Sequence, residues 1–446
     1  MTEKPVALIV LAAGQGSRMQ SDLPKVLHRL GGLPLVAHAL AAGRVLEPQA
    51  VVVVAGHGAP AVAKAVAKLD PDAQIALQDQ QLGTAHAVSQ ALPALKGFEG
   101  RVIVLYGDTP FIGQETLASL AAHPADVVVL GFEAADPGRY GRLVTGPEGL
   151  ERIVEYKDAD EATRAIRLVN SGVLAADAAL LRAFLPRIGN RNAAGEYYLT
   201  DLPALAREAG HRVEVVTCDE AETLGINTRT ELAQAEAAFQ ARARAQALED
   251  GVTLADPATV WFALDTCIGR DAVIGQNVVF GPGVTVESGA EILPFCHLEG
   301  CHVSAGATVG PFARLRPGAE LGGDVHVGNF VEIKNSVLDE GVKVGHLTYL
   351  GDAHIGEATN IGAGTVTCNY DGVGKHRTEI GAHAFIGSDT MLVAPVRVGA
   401  RAMTGSGSVI TQDVPDDALA LGRAQQVTKP GLATRLMQAL RQKKGN

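Results

Sequence analysis

The chain has 446 residues, of which 47% are hydrophobic and 20% charged, and its formal net charge is −11. This composition is typical of a globular protein of about two or three domains, and the negative charge argues against a nucleic-acid partner, which would need a basic face. No apolar stretch approaches the roughly 18 residues of a membrane-spanning helix, and the polar start "MTEKPVALIVLAAG" is unlike a secretory signal. The five cysteines form no C-x-x-C pair, which indicates reduced thiols without structural zinc. We therefore expect a cytoplasmic protein with no membrane partner.

The first half of the chain, from Val6 to about residue 229, alternates between strand-length apolar runs and helix-length amphipathic segments. The runs include "VALIVLAA", "AVVVVAG", "RVIVLYGD" and "ADVVVLGF". Continuous β-rich runs separated by helices predict an α/β domain with a mostly parallel sheet that is buried on both faces. The segment "TELAQAEAAFQARARAQALED" then consists of good helix formers. We expect a domain over residues 1–229 and a helical linker over residues 230–250.

After Gly251 an aliphatic residue recurs at every sixth position, and a second domain is expected over residues 251–446. The series runs through 268, 274, 280, 286, 292 and 298 and continues, with a few five-residue steps, to 410. A helix would place residues six apart on nearly opposite faces, so this period is not helical. A hexapeptide period is typical of a β-helix in which each unit supplies one short strand and three units complete a coil. The predicted fold is a left-handed parallel β-helix of hexapeptide repeats.

The motif "LAAGQGSRMQSDLPKVL" ends the first predicted strand and combines glycines with cations. Its glycines let the backbone approach an anion closely, and Arg18 and Lys25 supply positive charge. It is not the dinucleotide-binding fingerprint, because Met19 stands where the third glycine should be, and it is not a P-loop. Asp108 ends the run "RVIVLYGD", where the sites of α/β proteins lie, although an aspartate there can also serve only as a turn residue.

Together with "QQLGTAHA", "LYGDTP", "YGRLV", "IVEYKDA" and "LVNSGV", this motif resembles the signature of sugar-1-phosphate nucleotidylyltransferases. The resemblance implies a Rossmann-like α/β nucleotidyltransferase domain in which Lys25 and Arg18 are catalytic and offset phosphate charge. It also implies that Asp108 and Asn227 hold Mg²⁺ through hard oxygen ligands. The residues that it implies for binding UTP and UDP-N-acetylglucosamine are Leu11, Ala12, Ala13, Gly14, Lys25, Gln78, Gly83, Thr84, Tyr106, Gly107, Asp108, Gly141, Glu155, Asn170 and Asn227, with Tyr198 and Thr200 as weaker candidates.

Polar residues also occur within the repeat region, at positions where a scaffold needs none. Arg316, Lys334 and His346 are separated by 18 and 12 residues, and these multiples of six predict that they stack along one edge of the β-helix. By itself, His346 is more typical of an ordinary surface or core histidine. Between Thr367 and Glu379 the six-residue rhythm stops and polar residues with glycines replace it. A harmless insertion is one interpretation, but this composition favours an active-site loop.

The segments "GNFVEIKN", "GHLTYLGDA" and "IGAGTVTCNYDG" resemble the acetyl-CoA-dependent sugar-phosphate acetyltransferases of the hexapeptide superfamily. Over about residues 5–430, the chain is similar to bacterial bifunctional enzymes that combine this acetyltransferase with a uridylyltransferase. The resemblance implies that glucosamine-1-phosphate is acetylated with acetyl-CoA, and that UMP is then transferred from UTP to the product, giving UDP-N-acetylglucosamine and pyrophosphate. It also implies a homotrimer with the acetyl site between subunits.

The same resemblance implies roles for individual residues of the second domain. His346 is the expected general base, because an imidazole with an ordinary pKa of about 6.5 can take a proton from the sugar amine. The residues implied for the acceptor are Arg316, Lys334, Tyr349 and Asn360. Those implied for acetyl-CoA are Ala363, Asn369, Tyr370, Lys375, Ser388, Ser406 and Arg423. The N–H of Ala363 would stabilise the oxyanion, and loop residues would reach across to a neighbouring subunit. The family often has alanine at the position of Ser406.

Two other functions stay open at the level of sequence. A sugar-1-phosphate nucleotidylyltransferase with a single activity could use the β-helix only for oligomerisation, but His346 and Lys334 would then be unexplained. A non-enzymatic β-helical scaffold would need none of Lys25, Asp108 and Asn227.

Overall fold

The computed structural model describes residues 4–444, so the expected domain limits at residues 1 and 446 lie outside the described residues. The chain forms two compact units, one ending at Ala243 and the other beginning at Arg244. The division falls inside the helix Arg229–Glu249, which overlaps the expected linker. Within residues 4–444, every helix is too short or too polar to cross a lipid bilayer.

The first unit contains a mixed sheet whose central path is mostly parallel. The strands of this unit are Val6–Ala12 (β1), Arg29–Leu30 (β2), Leu33–Pro34 (β3), Ala50–Ala55 (β4), Gln74–Leu77 (β5), Arg101–Tyr106 (β6), Val127–Glu133 (β7), Arg142–Gly146 (β8), Gly149–Val154 (β9), Leu168–Asp177 (β10) and Val213–Thr217 (β11). The order is β11-β7-β10-β6-β1-β4-β5, with β8 and β9 attached beside β10 and with β2 and β3 paired separately. Along this path only β10 runs antiparallel to its neighbours, which confirms the predicted α/β class.

Helices cover both faces of this sheet, as the apolar strand runs require. The helices of this unit are Leu35–Arg44 (α1), Ala59–Leu69 (α2), Thr84–Ala91 (α3), Gln114–Ala122 (α4), Glu161–Arg164 (α5), Ala178–Phe184 (α6) and Leu202–Glu208 (α7). The helix Arg229–Glu249 (α8) packs instead on Leu30, Leu35 and Phe111. Short 3₁₀ helices span Ser17–Met19, Lys25–Leu27, Leu92–Leu95, Leu185–Arg187, Leu199–Asp201 and Glu220–Glu222. Successive residues of β1 alternate between two cores: Ile9 packs on one side and Leu8 and Val10 on the other. Each such side chain contributes roughly 1.5–3 kcal/mol by leaving water.

The second unit is a three-sided parallel β-helix, which confirms the predicted fold. The first face stacks Thr253–Leu254, Val273–Ile274, Glu291–Ile292, Thr308–Val309, His326–Asn329, Lys343–His346, Asn360–Ile361, Phe385–Ile386, Met403–Thr404 and Leu419–Ala420. The second face stacks Cys267–Ile268, Thr285–Val286, Cys301–Val303, Ala319–Leu321, Ser336–Leu338, Ala353–Ile355, Thr378–Ile380 and Val396–Val398. The third face stacks Val279–Phe280, His297–Leu298, Arg314–Leu315, Glu332–Lys334, Tyr349–Gly351, Val366–Cys368, Met391–Val393 and Val409–Ile410. A 3₁₀ turn, Pro257–Thr259, lies near its start, and an exposed helix, Leu432–Lys444 (α9), follows its last strand.

The aliphatic residues of the hexapeptide series point inward, as predicted. Ile274, Leu298, Ile333 and Leu350 are fully buried. Parallel pairing joins each strand to the one a full coil later on the same face, and Ile333 thus pairs with Leu350. Most coils therefore bury three aliphatic side chains, and Thr367 and Thr404 take the inward position on two of the later strands.

Candidate active sites

A lysine, an aspartate and an asparagine from three separate segments converge in the first unit. Lys25 begins its 3₁₀ helix, Asp108 follows β6, and Asn227 precedes α8. The Lys25 ammonium donates a hydrogen bond to Oδ2 of Asp108 and a second, of 3.0 Å, to Oδ1 of Asn227. The Lys25 and Asp108 side chains are only 14% and 18% exposed, so their charges interact in a partly desolvated site.

The oxygens that surround the Lys25 ammonium fit a divalent cation. Asp108 and Asn227 direct a carboxylate and an amide oxygen at one point, and Mg²⁺ prefers such hard ligands. Among residues 4–444, no group of three or more His, Cys, Asp or Glu side chains is arranged to hold a metal. A divalent ion here would take two protein oxygens and complete its shell with phosphate oxygens and water, which is usual for Mg²⁺ at phosphates.

The expected nucleotide-binding segments meet at the carboxyl edge of the parallel strands. They comprise Leu11, Ala12, Ala13 and Gly14 at the end of β1, Tyr106, Gly107 and Asp108 at the end of β6, and Gln78, Gly83 and Thr84 between β5 and α3. The N–H of Gly107 donates to the Leu11 carbonyl at 2.9 Å, which joins the first two segments. Nε2 of the buried Gln78 donates to the Gly83 carbonyl at 3.0 Å, which holds the third in a tight loop.

One residue of this region was missed by the sequence reasoning. Nε2 of Gln81 donates to the Ala13 carbonyl at 2.8 Å and so ties the loop before α3 to the end of β1. Its position within the segment "LQDQQLGT", three residues after Gln78, was the available signal. A polar cavity of about 390 Å³ opens beside these loops and is lined by Gln15, Gly56, His57, Gln78, Asp79 and Gln81.

The start of α3 is positioned by contacts with the segment before α7. Gly83 has a φ of +113°, and a Cβ there would lie 2.5 Å from the carbonyl oxygen of Tyr197, so glycine is required. The Thr84 hydroxyl accepts a hydrogen bond of 3.0 Å from the N–H of Leu199. The N–H of Ala85 in turn donates to the Tyr197 carbonyl at 3.0 Å, so the first turn of α3 is fixed against this segment.

Tyr106 connects these segments with the expected sugar pocket. Its hydroxyl bonds with Thr84, and burial followed by the charges of Asp108 and Glu155 raises its pKa. Two carboxylates from opposite sides of the site thus lie near one neutral phenol. This phenol stays protonated at neutral pH and can donate a hydrogen bond.

The expected sugar residues Gly141, Glu155 and Asn170 are brought together beside β8 and β9. The N–H of Asn170 donates to the Gly141 carbonyl at 2.8 Å, and a Cβ on Gly141 would approach Oε1 of Glu155 to 3.4 Å. The Thr200 hydroxyl donates to the same oxygen at 3.2 Å. Burial raises the pKa of Glu155, and the bond from Thr200 opposes this shift. A cavity of about 340 Å³ beside them is lined by Ile153, Val154, Glu155, Asp158, Gly189, Arg191, Asn192, Tyr198, Thr200 and Asp201.

Arg18, the other expected catalytic cation, stands apart from this cluster. It is exposed on the 3₁₀ helix Ser17–Met19 and makes no ion pair within the described residues. Gly16 and Gln20, on either side of this helix, have φ values of 65° and 50°. The guanidinium is therefore available to a phosphate that enters the loop.

In the second unit, the expected base and several expected acetyl-CoA residues form one column. Asn329 pairs with His346 at the end of the first face. The register of the following strands continues this column through Ala363, Ser388 and Ser406. Arg423 lies at the C-terminal end of this column, where it donates a hydrogen bond of 2.7 Å to the Ser406 carbonyl. A long ligand could therefore lie along this edge across several coils.

The predicted single edge of Arg316, Lys334 and His346 is wrong. Arg316 and Lys334 do stack on the third face, since Leu315 pairs with Ile333. His346 instead ends a strand of the first face. Stacking needs a whole coil of three units, and the 12 residues between Lys334 and His346 make only two. The base and the two cations thus lie on neighbouring faces.

Three cations crowd together on the third face. The Lys375 ammonium lies beside Lys334 and, together with Arg316, lowers the pKa of Lys334. Asp352 faces both lysines, and although burial raises its pKa, the hydrogen bonds from Asn335 and Asn369 and the lysine charges lower it overall. Glu332 accepts a hydrogen bond of 2.7 Å from Arg316. Sites of this charge distribution suit a dianionic phosphate.

The loop that interrupts the repeat is a stapled hairpin. Tyr370 pairs with Lys375, and the Asp371 carboxylate accepts hydrogen bonds from the N–H of Val373 (2.8 Å), the N–H of Gly374 (2.7 Å) and Nε2 of His376 (2.6 Å). These bonds lower the pKa of Asp371. Asn369, at the base of the loop, is buried, whereas Tyr370 is exposed. The hairpin holds Lys375 beside Lys334 and Arg316 of its own chain. The sequence had suggested that Lys375 binds acetyl-CoA.

Tyr349 and Asn360, the remaining acceptor candidates, lie in different places. The Tyr349 hydroxyl sits over Gly351, where a Cβ would approach it to 2.3 Å, so it lies close to Lys334, which pairs with Gly351. Asn360 pairs with Lys343 at the opposite edge of the first face from His346. Within one chain, the structure therefore groups Tyr349 with the cations and leaves Asn360 apart from the base.

Comparison with known proteins gives matches for both units. A family model for the MobA-like NTP transferase domain matches residues 8–184. The chain is 93% identical to the bifunctional protein GlmU of Paracoccus denitrificans strain Pd 1222, over 446 residues and 100% of both chains. It is 72% identical to bifunctional protein GlmU of Cereibacter sphaeroides strain ATCC 17025 over 443 residues, covering 99% of this chain and 98% of the relative. Bifunctional protein GlmU of Jannaschia sp. strain CCS1 is 63% identical over 444 residues, with 99% and 97% covered.

Proposed function

Because the chain belongs to the family of bifunctional GlmU proteins, we propose that its two units carry out two successive transfers on one sugar phosphate. The chain is a transferase that acetylates glucosamine-1-phosphate with acetyl-CoA in its second unit. Its first unit transfers UMP from UTP to N-acetylglucosamine-1-phosphate, giving pyrophosphate and UDP-N-acetylglucosamine, a precursor of bacterial cell-wall polymers. The observation that carries this proposal is that each unit has its own cationic group suited to phosphate: Lys25, held by Asp108 and Asn227, in one, and Arg316, Lys334 and Lys375 in the other.

Acetyl transfer needs a base and an anchored acceptor. Arg316, Lys334 and Lys375 hold the acceptor phosphate, and Tyr349 contacts the sugar. Nε2 of His346 takes a proton from the sugar amine as the amine nitrogen attacks the thioester carbonyl. The N–H of Ala363 stabilises the oxyanion, and the thiolate of coenzyme A leaves as the carbonyl reforms. The column of Ser388, Ser406 and Arg423 below His346 supports a coenzyme that lies along this edge. In this arrangement Asn369 and Tyr370 flank the coenzyme and Asn360 reaches the acceptor of a neighbouring subunit.

Uridylyl transfer depends on positioning and on neutralising charge. The phosphate oxygen of N-acetylglucosamine-1-phosphate attacks the α-phosphorus of UTP, and pyrophosphate leaves. Lys25 and Arg18 offset the charge of the phosphates, while Gln78, Gln81 and the loop at Gly83 hold the base. Glu155, Asn170 and Gly141 hold the sugar. Mg²⁺ on Asp108 and Asn227 would draw the phosphate oxygens together and neutralise part of their charge.

A homotrimer is part of this proposal and is supported by an exposed apolar column. Phe295, Phe312, Phe330 and Leu347 follow one another along one corner of the β-helix, and all four are exposed. The rings of Phe295 and Phe312 stack at 4.9 Å, and those of Phe312 and Phe330 at 5.4 Å. The column reaches the residue after His346, so a second copy seated there would come close to the acetyl site. Light scattering should give three times the mass of the 46.3 kDa chain, and a monomer would contradict the trimer.

The cysteines agree with a cytoplasmic location, which is also proposed. All five, Cys218, Cys267, Cys296, Cys301 and Cys368, are free. Fractionation of cells that express a tagged chain should find it in the cytosol together with its substrates, and recovery from the periplasm would contradict this location.

The decisive experiment separates the two reactions. Release of coenzyme A thiol from acetyl-CoA on adding glucosamine-1-phosphate, without UTP, measures acetyl transfer. Pyrophosphate release from UTP and N-acetylglucosamine-1-phosphate measures uridylyl transfer. His346→Ala should lower only the first rate, by about 100-fold or more, because a general base contributes that much. No thiol release from the unaltered chain would reduce the β-helix to an oligomerisation domain.

A further inference from the structure

We propose that Asn329 is a positioning residue for acetyl transfer: its side-chain amide fixes the tautomer and orientation of the His346 imidazole. This inference rests on the proposed role of His346 as the general base. Asn329 was not singled out by its sequence position, because only the pairing of successive coils brings it to His346.

The two side chains are brought together where the backbones of two coils of the first face approach closely. Asn329 and His346 end the strands His326–Asn329 and Lys343–His346 and pair directly. A Cβ on Gly328 would lie only 1.8 Å from the carbonyl oxygen of Gly345, so the position before Asn329 needs glycine. Oδ1 of Asn329 then lies 2.6 Å from Nδ1 of His346.

The backbone of His346 is held while its ring is exposed. The Thr348 hydroxyl donates to the His346 carbonyl at 2.8 Å, and the N–H of Leu347 donates to the Asn329 carbonyl at 3.1 Å. An exposed imidazole on such a fixed backbone could still rotate about its side-chain bonds. The bond from Asn329 restrains that rotation.

The chemistry of this bond selects the tautomer that a base requires. An amide oxygen only accepts, so the ring nitrogen that faces it, Nδ1, must carry the proton. Nε2 then has a free lone pair for the proton of the sugar amine. After Nε2 is protonated, Nδ1–H continues to donate to Asn329, so the bond persists through both protonation states of His346.

The neutral amide suits a base better than a carboxylate would. A carboxylate at this position would favour the imidazolium and raise its pKa, which leaves less free base at neutral pH. The titratable residues on the paired strands, His326 and Lys343, pair with each other at the far end of the face. Glu332 begins the next strand of the third face, and its carboxylate accepts a hydrogen bond from Arg316. Asn329 therefore orients His346 without adding a charge beside it.

The test uses two substitutions of Asn329 in the full-length chain, and the profile of kcat/KM for glucosamine-1-phosphate against pH. Asn329→Leu should lower kcat by about 10-fold to 100-fold with little change in KM, as expected when an orienting partner is lost. Asn329→Asp keeps the shape of the side chain but adds a negative charge beside the imidazole. It should therefore move the acidic limb of the profile to higher pH by about one unit. Its rate should therefore fall most at low pH and recover towards alkaline pH. His326→Ala, on the same strand, is the matched control.

The outcomes separate this inference from the proposed function. Uridylyl transfer by each variant checks that the first unit is intact, and thermal unfolding with the mass in solution checks the β-helix. An unshifted profile in Asn329→Asp, together with a kcat in Asn329→Leu within about two-fold of the unaltered chain, would overturn the positioning role. A loss of activity that follows only unfolding or dissociation would also overturn it. If His346→Ala itself keeps full thiol release, the base role fails first, whatever Asn329 does.

Discussion

At the scale of residues, the second unit concentrates positive charge where no structural need explains it. Lys334 and Lys375 lie side by side with Arg316, and their repulsion lowers the pKa of Lys334. Asp352 opposes the repulsion between the lysines, and it also accepts hydrogen bonds from Asn335 and Asn369. Such crowding costs folding energy unless an anion relieves it, which supports the proposed phosphate site.

The pH dependence of this cluster gives a residue-level prediction. The charged form of Lys334 is disfavoured, so its proton is lost at a lower pH than usual, and bound phosphate would restore it. Affinity for glucosamine-1-phosphate should therefore decline as the pH rises through this lowered pKa. In Lys375→Met the main cause of the shift is gone, and the decline should move to higher pH. KM should also rise by roughly 10-fold to 100-fold, because one charge-assisted hydrogen bond is lost.

A neighbouring residue provides the control for Lys375→Met. Arg377 is on the same loop but forms an ion pair with Glu379. Arg377→Met should leave both KM and its pH dependence within about two-fold. Equal behaviour of the two variants would show that Lys375 acts through the loop as a whole rather than on phosphate.

Residue types and motifs predicted site residues correctly only where those residues stand within a distinctive short segment of the sequence. Lys25 and Asp108 stand in distinctive motifs, and the structure brings them into contact. Gln81 and Asn329 were missed because each acts through a neighbour that the fold supplies, the end of β1 in one case and the next coil in the other. The place of Lys375 beside Lys334 depends on a hairpin whose shape no period in the sequence encodes.

At the scale of elements, the coil is the unit that decides which residues stack. The six-residue period predicted the inward aliphatic residues and the fold, because each of the three strands of a coil buries one side chain. It did not predict which outward residues share an edge, since that depends on how many units separate them. Asn360 and His346 illustrate this: they lie on one face but at opposite edges.

The triangular core provides an element-level prediction. Ile333 is fully buried, whereas Val337, in the next strand, points outward and is 39% exposed. Ile333→Ala should lower the free energy of unfolding of the second unit by about 2–5 kcal/mol, because it leaves a cavity in a stack that cannot collapse. Val337→Ala should change it by less than about 0.5 kcal/mol. Thermal and denaturant unfolding of both variants measure the difference, and similar losses would contradict inward packing of the series.

At the scale of the whole molecule, the Lys25–Asp108 site and the cluster of Arg316, Lys334 and Lys375 belong to separate compact units. Each unit has its own core, and the hydrogen bonds of each cluster stay within its unit. A defect in one site should therefore leave the chemistry of the other intact. This is the arrangement expected when two reactions share only a diffusible sugar phosphate.

Mixing two single-site variants tests this independence. Asp108→Ala should keep thiol release, and His346→Ala should keep uridylyl transfer from supplied N-acetylglucosamine-1-phosphate; these are the controls. Starting from glucosamine-1-phosphate, acetyl-CoA and UTP, each variant alone should form UDP-N-acetylglucosamine at least about 100-fold more slowly than the unaltered chain. An equimolar mixture should restore formation after a lag, because the intermediate must leave one protein and bind the other. If the mixture stays inactive while both controls hold, the two sites must act within one assembly and the intermediate does not exchange with solution.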